Sequence, residues 1–133
     1  MYEIEEKINI KNMIYEIRGK EVMLDSDLAK LYGCSNGTKT INLAVKRNIE
    51  RFPNNFYFKL TEEEYYEIIK KHSRFQFETL NKNGDNRGYN IKYKPYVFTE
   101  QGVAMLSSVL RTKDAARVSV NIMNAFVEMR KFI

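Results

Sequence analysis

Apolar and polar positions alternate through "MIYEIRGKEVML" (Met13 to Leu24), and the alternation breaks at Arg18-Gly19-Lys20. A period of two interrupted by a glycine step predicts a small hairpin over about Met13 to Leu24. Residues 1–12 precede it as an N-terminal extension. The period then changes. Leu28, Ala29, Leu31 and Tyr32 have helical spacing, with Asp25 or Ser26 as N-cap and Gly33 as the stop. "GCSNG" is turn chemistry, after which Thr38 is expected to cap a second helix from Lys39 to about Phe52, closed by Pro53. Projected at 100° per residue, Ile41, Ala44, Val45, Asn48, Ile49 and Phe52 share one arc, the expected core face. The opposite arc carries Lys39, Asn42, Leu43, Lys46 and Arg47, with Glu50 among them and Arg51 at the flank.

"FYFKL" (Phe56 to Leu60) reads as a strand, and Thr61 caps the helix of "TEEEYYEIIKK", whose acidic first turn suits the helix dipole. Two strand-like runs, "SRFQFETL" and "YNIKYKPYVF", flank "NKNGDNRG", a turn-rich tip, and so predict a second hairpin with basic, aromatic arms. Thr99 caps "EQGVAMLSSVL", an apolar helix expected to be buried. From Thr112, the residues Ala115, Val118, Ile122, Ala125 and Met129 form a helical stripe, with Phe126 beside it. Val120, Met123 and Val127 add a second apolar strip, which calls for either a second copy of the chain or a fully intramolecular burial. The pattern reaches residue 133 without a stop signal, so a C-terminal domain following residues 112–133 is an expectation.

The 133 residues suit one domain, and a content of 44% hydrophobic and 29% charged residues is that of a globular chain. A single cysteine, Cys34, excludes an intrachain disulfide and points to a reducing, cytoplasmic setting. No apolar run approaches the length of a membrane span, and the charged start "MYEIEEKINI" does not resemble a signal peptide. The net charge of +5 is blocked: residues 38–59 hold five Lys/Arg against one acidic residue, residues 60–69 hold four Glu and no cation, and residues 70–98 hold seven Lys/Arg against two.

A helix-turn-helix places long donors and amides of its second helix against base edges and phosphates. Lys39, Asn42, Lys46 and Arg47 supply them; a solvated helix with no partner would show the same pattern. A basic hairpin beside such a helix is how winged domains hold the flanking backbone, and Arg74, Lys82, Arg87, Lys92 and Lys94 lie on it. His72 reads as a helix-end histidine and Cys34 as a small packing residue. Asp25, Asp27 and Glu100 would be the raw material of a metal site, but Asp25 and Glu100 already suit helix starts. Neither a metal nor a cofactor, a small-molecule substrate or an enzymatic activity is expected.

"IRGKEVMLDSDLAKLYG", "LAVKRNIERFPNNFYFKLTEEEY" and "YVFTEQGVAMLSSVL" resemble the signature blocks of the open-reading-frame-six N-terminal domain of phages and prophages, related to the KilA-N and Bro-N domains. The resemblance runs in order over about Met13 to Ile133. It implies a DNA-binding module of antirepressor-like regulatory proteins. The stretch "NGDNRGYNIKYKPYVFTE" is more lysine-rich than the Gly/Arg-rich stretch common in that family. The expectation is a small α+β single domain over 1–133, with helix-turn-helix-like helices, short hairpins, one of them wing-like, and a long C-terminal helix. Double-stranded DNA is the expected partner: Lys46 and Arg47 as leading contacts with Arg51 beside them, Lys39 and Asn42 as base readers, Arg74, Arg87 and Lys92 on the backbone. Homodimerisation through the C-terminal helix is a second expectation. Two alternatives stay open, a protein-interaction module that inhibits a repressor and a metal-dependent nuclease.

Overall fold

Arg18 and Gly19 both adopt positive φ, 55° and 74°, the mirror-image turn that matches the twist of a tight hairpin. It joins β1 (Ile14–Ile17) to β2 (Lys20–Leu24) in register Ile14↔Met23 to Ile17↔Lys20, as the alternation predicts. The computed structural model describes residues 10–72 and 95–130. The two arms of the expected wing fall outside them except for the final residues of the second arm, which form β4 (Tyr96–Thr99).

That strand is central. The antiparallel sheet runs β1-β2-β4-β3, with β4 between β2 and β3 (Tyr57–Lys59). Alternation along β2 and β4 then sorts the apolar residues onto two faces. Met23 and Phe98 face the larger core, shared with α1 (Asp25–Leu31), α2 (Thr38–Arg47), α4 (Glu100–Val109) and α5 (Ala115–Arg130). Val22, Leu24 and Val97 face a smaller core closed by Ile68 of α3 (Glu62–His72). The architecture is α+β, in three layers.

Two threonines do what their positions predict. Thr61 Oγ1 accepts from the Glu64 amide at 3.1 Å while Glu64 Oε1 accepts from the Thr61 amide at 2.9 Å, a reciprocal cap on α3. Thr99 Oγ1 accepts from the Gly102 amide at 3.3 Å and donates to the Asn55 carbonyl at 2.8 Å. Gly102 is then required sterically, since a Cβ there would lie 1.9 Å from the Phe56 carbonyl oxygen. Helix α4 buries Gly102, Val103 and Leu106, while Ala104 and Ser108 face outward, so its burial is one-sided and not complete as expected.

The second helix departs from expectation at both ends. Thr38 is its first residue and not its cap, which is Gly37 at φ 62° with no side-chain cap bond. At the other end α2 stops at Arg47, Asn48 turns to φ −128°, ψ 34°, and a 3-10 turn covers Ile49–Arg51. The Asn48 side chain donates back to the Ala44 carbonyl at 2.8 Å. This change of helical pitch rotates Ile49 out of the core face to 57% exposure, whereas Ile41, Val45 and Phe52 are buried as expected.

Asp25 also departs. It begins α1 with no side-chain cap bond at the Leu24 N-cap position and is fully buried. Its carboxylate accepts from the Ser26 amide at 2.8 Å, from Asn42 Nδ2 at 3.3 Å and from the Tyr96 amide at 3.4 Å, so it binds α1, α2 and β4 together.

Candidate nucleic-acid interface

Helices α1 and α2 are consecutive and packed through Leu28, Ala29, Ile41 and Val45, with Tyr32–Gly37 as the connection. Six residues is longer than the usual helix-turn-helix turn of three or four. Two features hold it. Gly33 is at φ 68° with its amide on the Lys30 carbonyl at 3.1 Å, and the Cys34 amide reaches the Ala29 carbonyl at 2.9 Å. Cys34 packs against the main core, and burial pushes its thiol up, away from the thiolate a nucleophile needs. The end of α1 is anchored separately: the buried hydroxyls of Tyr32 and Ser119 lie 2.7 Å apart, joining the turn to α5.

With its apolar arc against α1 and α4, α2 presents Lys39, Leu43, Lys46 and Arg47 to solvent, followed by exposed Glu50 and Arg51. None of these four cations pairs with a carboxylate among the described residues. Three other cations do pair with carboxylates: Arg18 with Glu64, Lys11 with Glu128, Arg130 with Glu100. Asn42 sits differently from its neighbours, half-buried with its amide on Asp25. The same carboxylate holds Tyr96, so β4 enters the sheet beside α2. Arg74, Lys82, Arg87, Lys92 and Lys94 lie outside the described residues.

Two concavities of the molecule differ in sign. One, of about 700 Å³, separates α2 and the 3-10 turn from the α4–α5 connection, and Arg47, Arg51 and Arg111 line it with Thr40 and Thr112. The other, of about 600 Å³, lies at the hairpin end of the molecule among Glu16, Glu21, Glu100, Lys20 and Arg130. There burial raises the Glu21 carboxyl, with Arg130 opposing and Glu100 and Glu16 adding to the rise. That end does not suit an anion.

Asp25, Asp27 and Glu100 do not converge. Asp25 is engaged by amides, Glu100 pairs with Arg130, and Asp27 is raised by burial beside the Tyr15 hydroxyl. His72 is the last residue of α3. Sequence reasoning missed Asp25 as a junction, because its partners are 17 and 71 positions away. It also passed over Arg111, whose only signal was its place directly after an apolar helix.

Among the described residues no helix is long and apolar enough to cross a membrane. A family model described as ORF6N domain matches residues 12–109, which takes in the hairpin, both helices of the candidate interface, the described sheet and α4. The match marks a phage-type domain and leaves α5 outside it, a narrower span than the Met13 to Ile133 expected. No curated protein and no solved structure matches the chain significantly.

Proposed function

Because the chain belongs to the ORF6N domain family, we propose that it is a double-stranded DNA-binding module of a phage-type, antirepressor-like regulator, and a binding protein rather than an enzyme. The observation that carries this reading is the row Lys39, Lys46 and Arg47, exposed on the second of two packed helices, with Arg51 on the 3-10 turn after it, all without carboxylate partners among the described residues. Long cationic donors on a rigid helix meet the needs of phosphate neutralisation and of bidentate contacts to guanine. Asn42 keeps one amide proton and its carbonyl for a base edge while its other proton serves Asp25. Leu43, at 38% exposure, is an apolar neighbour of the kind that meets a thymine methyl group.

Exposed Ile49 beside Arg51 favours a second reading, an acidic protein partner bound through a mixed apolar and basic surface. A mobility shift on random duplex DNA across a salt series separates the two. The DNA reading expects binding whose logarithm falls linearly with the logarithm of salt concentration. No shift at low salt would remove the DNA reading and leave the protein-partner one.

A further inference from the structure

The groove between α2, the 3-10 turn and the α4–α5 connection combines three guanidinium groups from three separate segments. Arg47 comes from α2, Arg51 from the 3-10 turn and Arg111 from the residues after α4. No acidic residue is among those lining it. None of the three arginines pairs with a carboxylate among the described residues. Like charges gathered on a concave wall repel one another and focus a positive potential into the cleft. Thr112, also on this wall, has a buried hydroxyl oxygen with no hydrogen-bond partner among the described residues. An anion carrying several acceptor oxygens would answer the cationic wall.

We propose that this groove seats a backbone phosphate of a DNA duplex, with Arg111 as a contact residue alongside Arg47 and Arg51. The proposal rests on the DNA reading above and adds to it a defined path. Thr40, Ala44 and Arg47 line the groove along one edge of α2, adjacent to the exposed row that includes Lys39, Lys46 and Arg47. Arg47 belongs to both surfaces. A strand read by α2 therefore runs on toward the α4–α5 connection, where the forked guanidinium of Arg111 meets its phosphate. A cation after the C-terminus of α4 also suits the helix dipole without any ligand, so the test has to report how many phosphates are neutralised and not only affinity.

The test is fluorescence anisotropy of the full chain on two unrelated duplexes over a salt series, for the parent, Arg111→Ala, Arg111→Lys and Lys46→Ala, with circular dichroism as the folding check. Arg111→Ala is expected to weaken both duplexes alike and to reduce the slope of log affinity against log salt by about 0.9, the value of one neutralised phosphate. Arg111→Lys is expected to keep the slope and lose part of the affinity, because the charge stays and the fork is gone. Parent-like affinity and slope in a folded Arg111→Ala, with Lys46→Ala weakened, would overturn the groove and leave the DNA reading standing. A parent chain that binds neither duplex would overturn both.

Discussion

Asn42 Nδ2 donates to Oδ2 of Asp25 at 3.3 Å, so a residue of the presented helix is tied to a fully buried carboxylate. The bond gives the orientation of α2 a polar determinant in addition to its apolar packing. A buried carboxylate that loses a donor carries its desolvation cost uncompensated. Asn42→Ala is expected to lower stability by about 1 to 3 kcal/mol in urea denaturation, and Asn42→Asp by more, since it sets two carboxylates together. Unchanged midpoints for both would mean that Asp25 is held adequately without Asn42.

Lys46 and Arg47 project away from Ile41 and Val45, so replacing both with Ala should leave the fold intact. Duplex affinity is expected to fall by about 1 to 3 kcal/mol for each side chain that reads a base edge in the parent. A folded double variant that binds like the parent in the same mobility shift would show that α2 does not read DNA.

Gly102 offers a test of packing independent of function. With the Phe56 carbonyl oxygen 1.9 Å from where a Cβ would be, Gly102→Ala forces α4 and the turn after Pro53 apart. A cost of about 1 to 3 kcal/mol is expected, read as a fall in Tm. Ala104→Gly, on the exposed side of the same helix, should cost only about 1 kcal/mol of helix propensity.

Arg18 grips Glu64 with two bonds, Nε to Oε2 at 2.8 Å and Nη2 to Oε1 at 2.9 Å, and its guanidinium carbon lies 4.4 Å from the centre of the Phe58 ring. The Arg18 bond, and then the Thr61 amide and hydroxyl, hold the Glu64 carboxyl below its usual 4.5 against the opposing effect of burial. A depressed folded pKa means that the unfolded chain binds the proton more readily. The contribution is therefore complete above pH 4.5 and is lost as pH falls through the lower folded value. Glu64→Gln should be less stable than the parent at pH 7 by about 0.5 to 1 kcal/mol, the partial exposure of the pair keeping the difference small. The two proteins should converge as the solution is acidified below pH 4.5 and through the lower folded value; a constant gap would assign the effect to the cap alone.

Helix α5 buries Val118, Ile122, Ala125 and Phe126 and leaves Val120 and Val127 at 58% and 41% exposure. Intramolecular burial of the whole helix, one of the two expectations, therefore does not hold for these positions among the described residues. The strip Val120, Met123 and Val127 has the spacing of a helix-pairing seam, and we propose that it pairs with a second copy of the chain. Sedimentation equilibrium at micromolar concentration is expected to show a dimer that Val127→Glu dissociates without unfolding. A monomer mass throughout would refute it.

Features set by chemistry within a few residues were legible: the Arg18-Gly19 turn, the Thr61 and Thr99 caps, and the apolar stripe of α5. Extrapolation along one helix was less secure. Ile49 looked like core because a 100° projection assumes that the helix continues, and Asn48 ends it by bonding to Ala44. Long-range polar matches were not legible at all. Nothing in the local pattern around Asp25 names Asn42 or Tyr96 as its partners, and nothing around Arg111 brings it to Arg47 and Arg51. The basic row was visible as charge; its freedom from carboxylates required the fold.

The position of β4 between β2 and β3 governs the order in which the molecule can assemble. Its Tyr96 amide meets Asp25 across 71 positions of sequence, so during synthesis β2 and β3 exist long before the strand that joins them. Until β4 emerges from the ribosome, the first hairpin has an open edge beside Val22 and Leu24, and the core that α1 and α2 share lacks Phe98. Such an edge is a template for pairing with other chains. Nascent chains halted before residue 95 should therefore depend on chaperones, and α1 and α2 should gain their final orientation only once synthesis has passed Thr99.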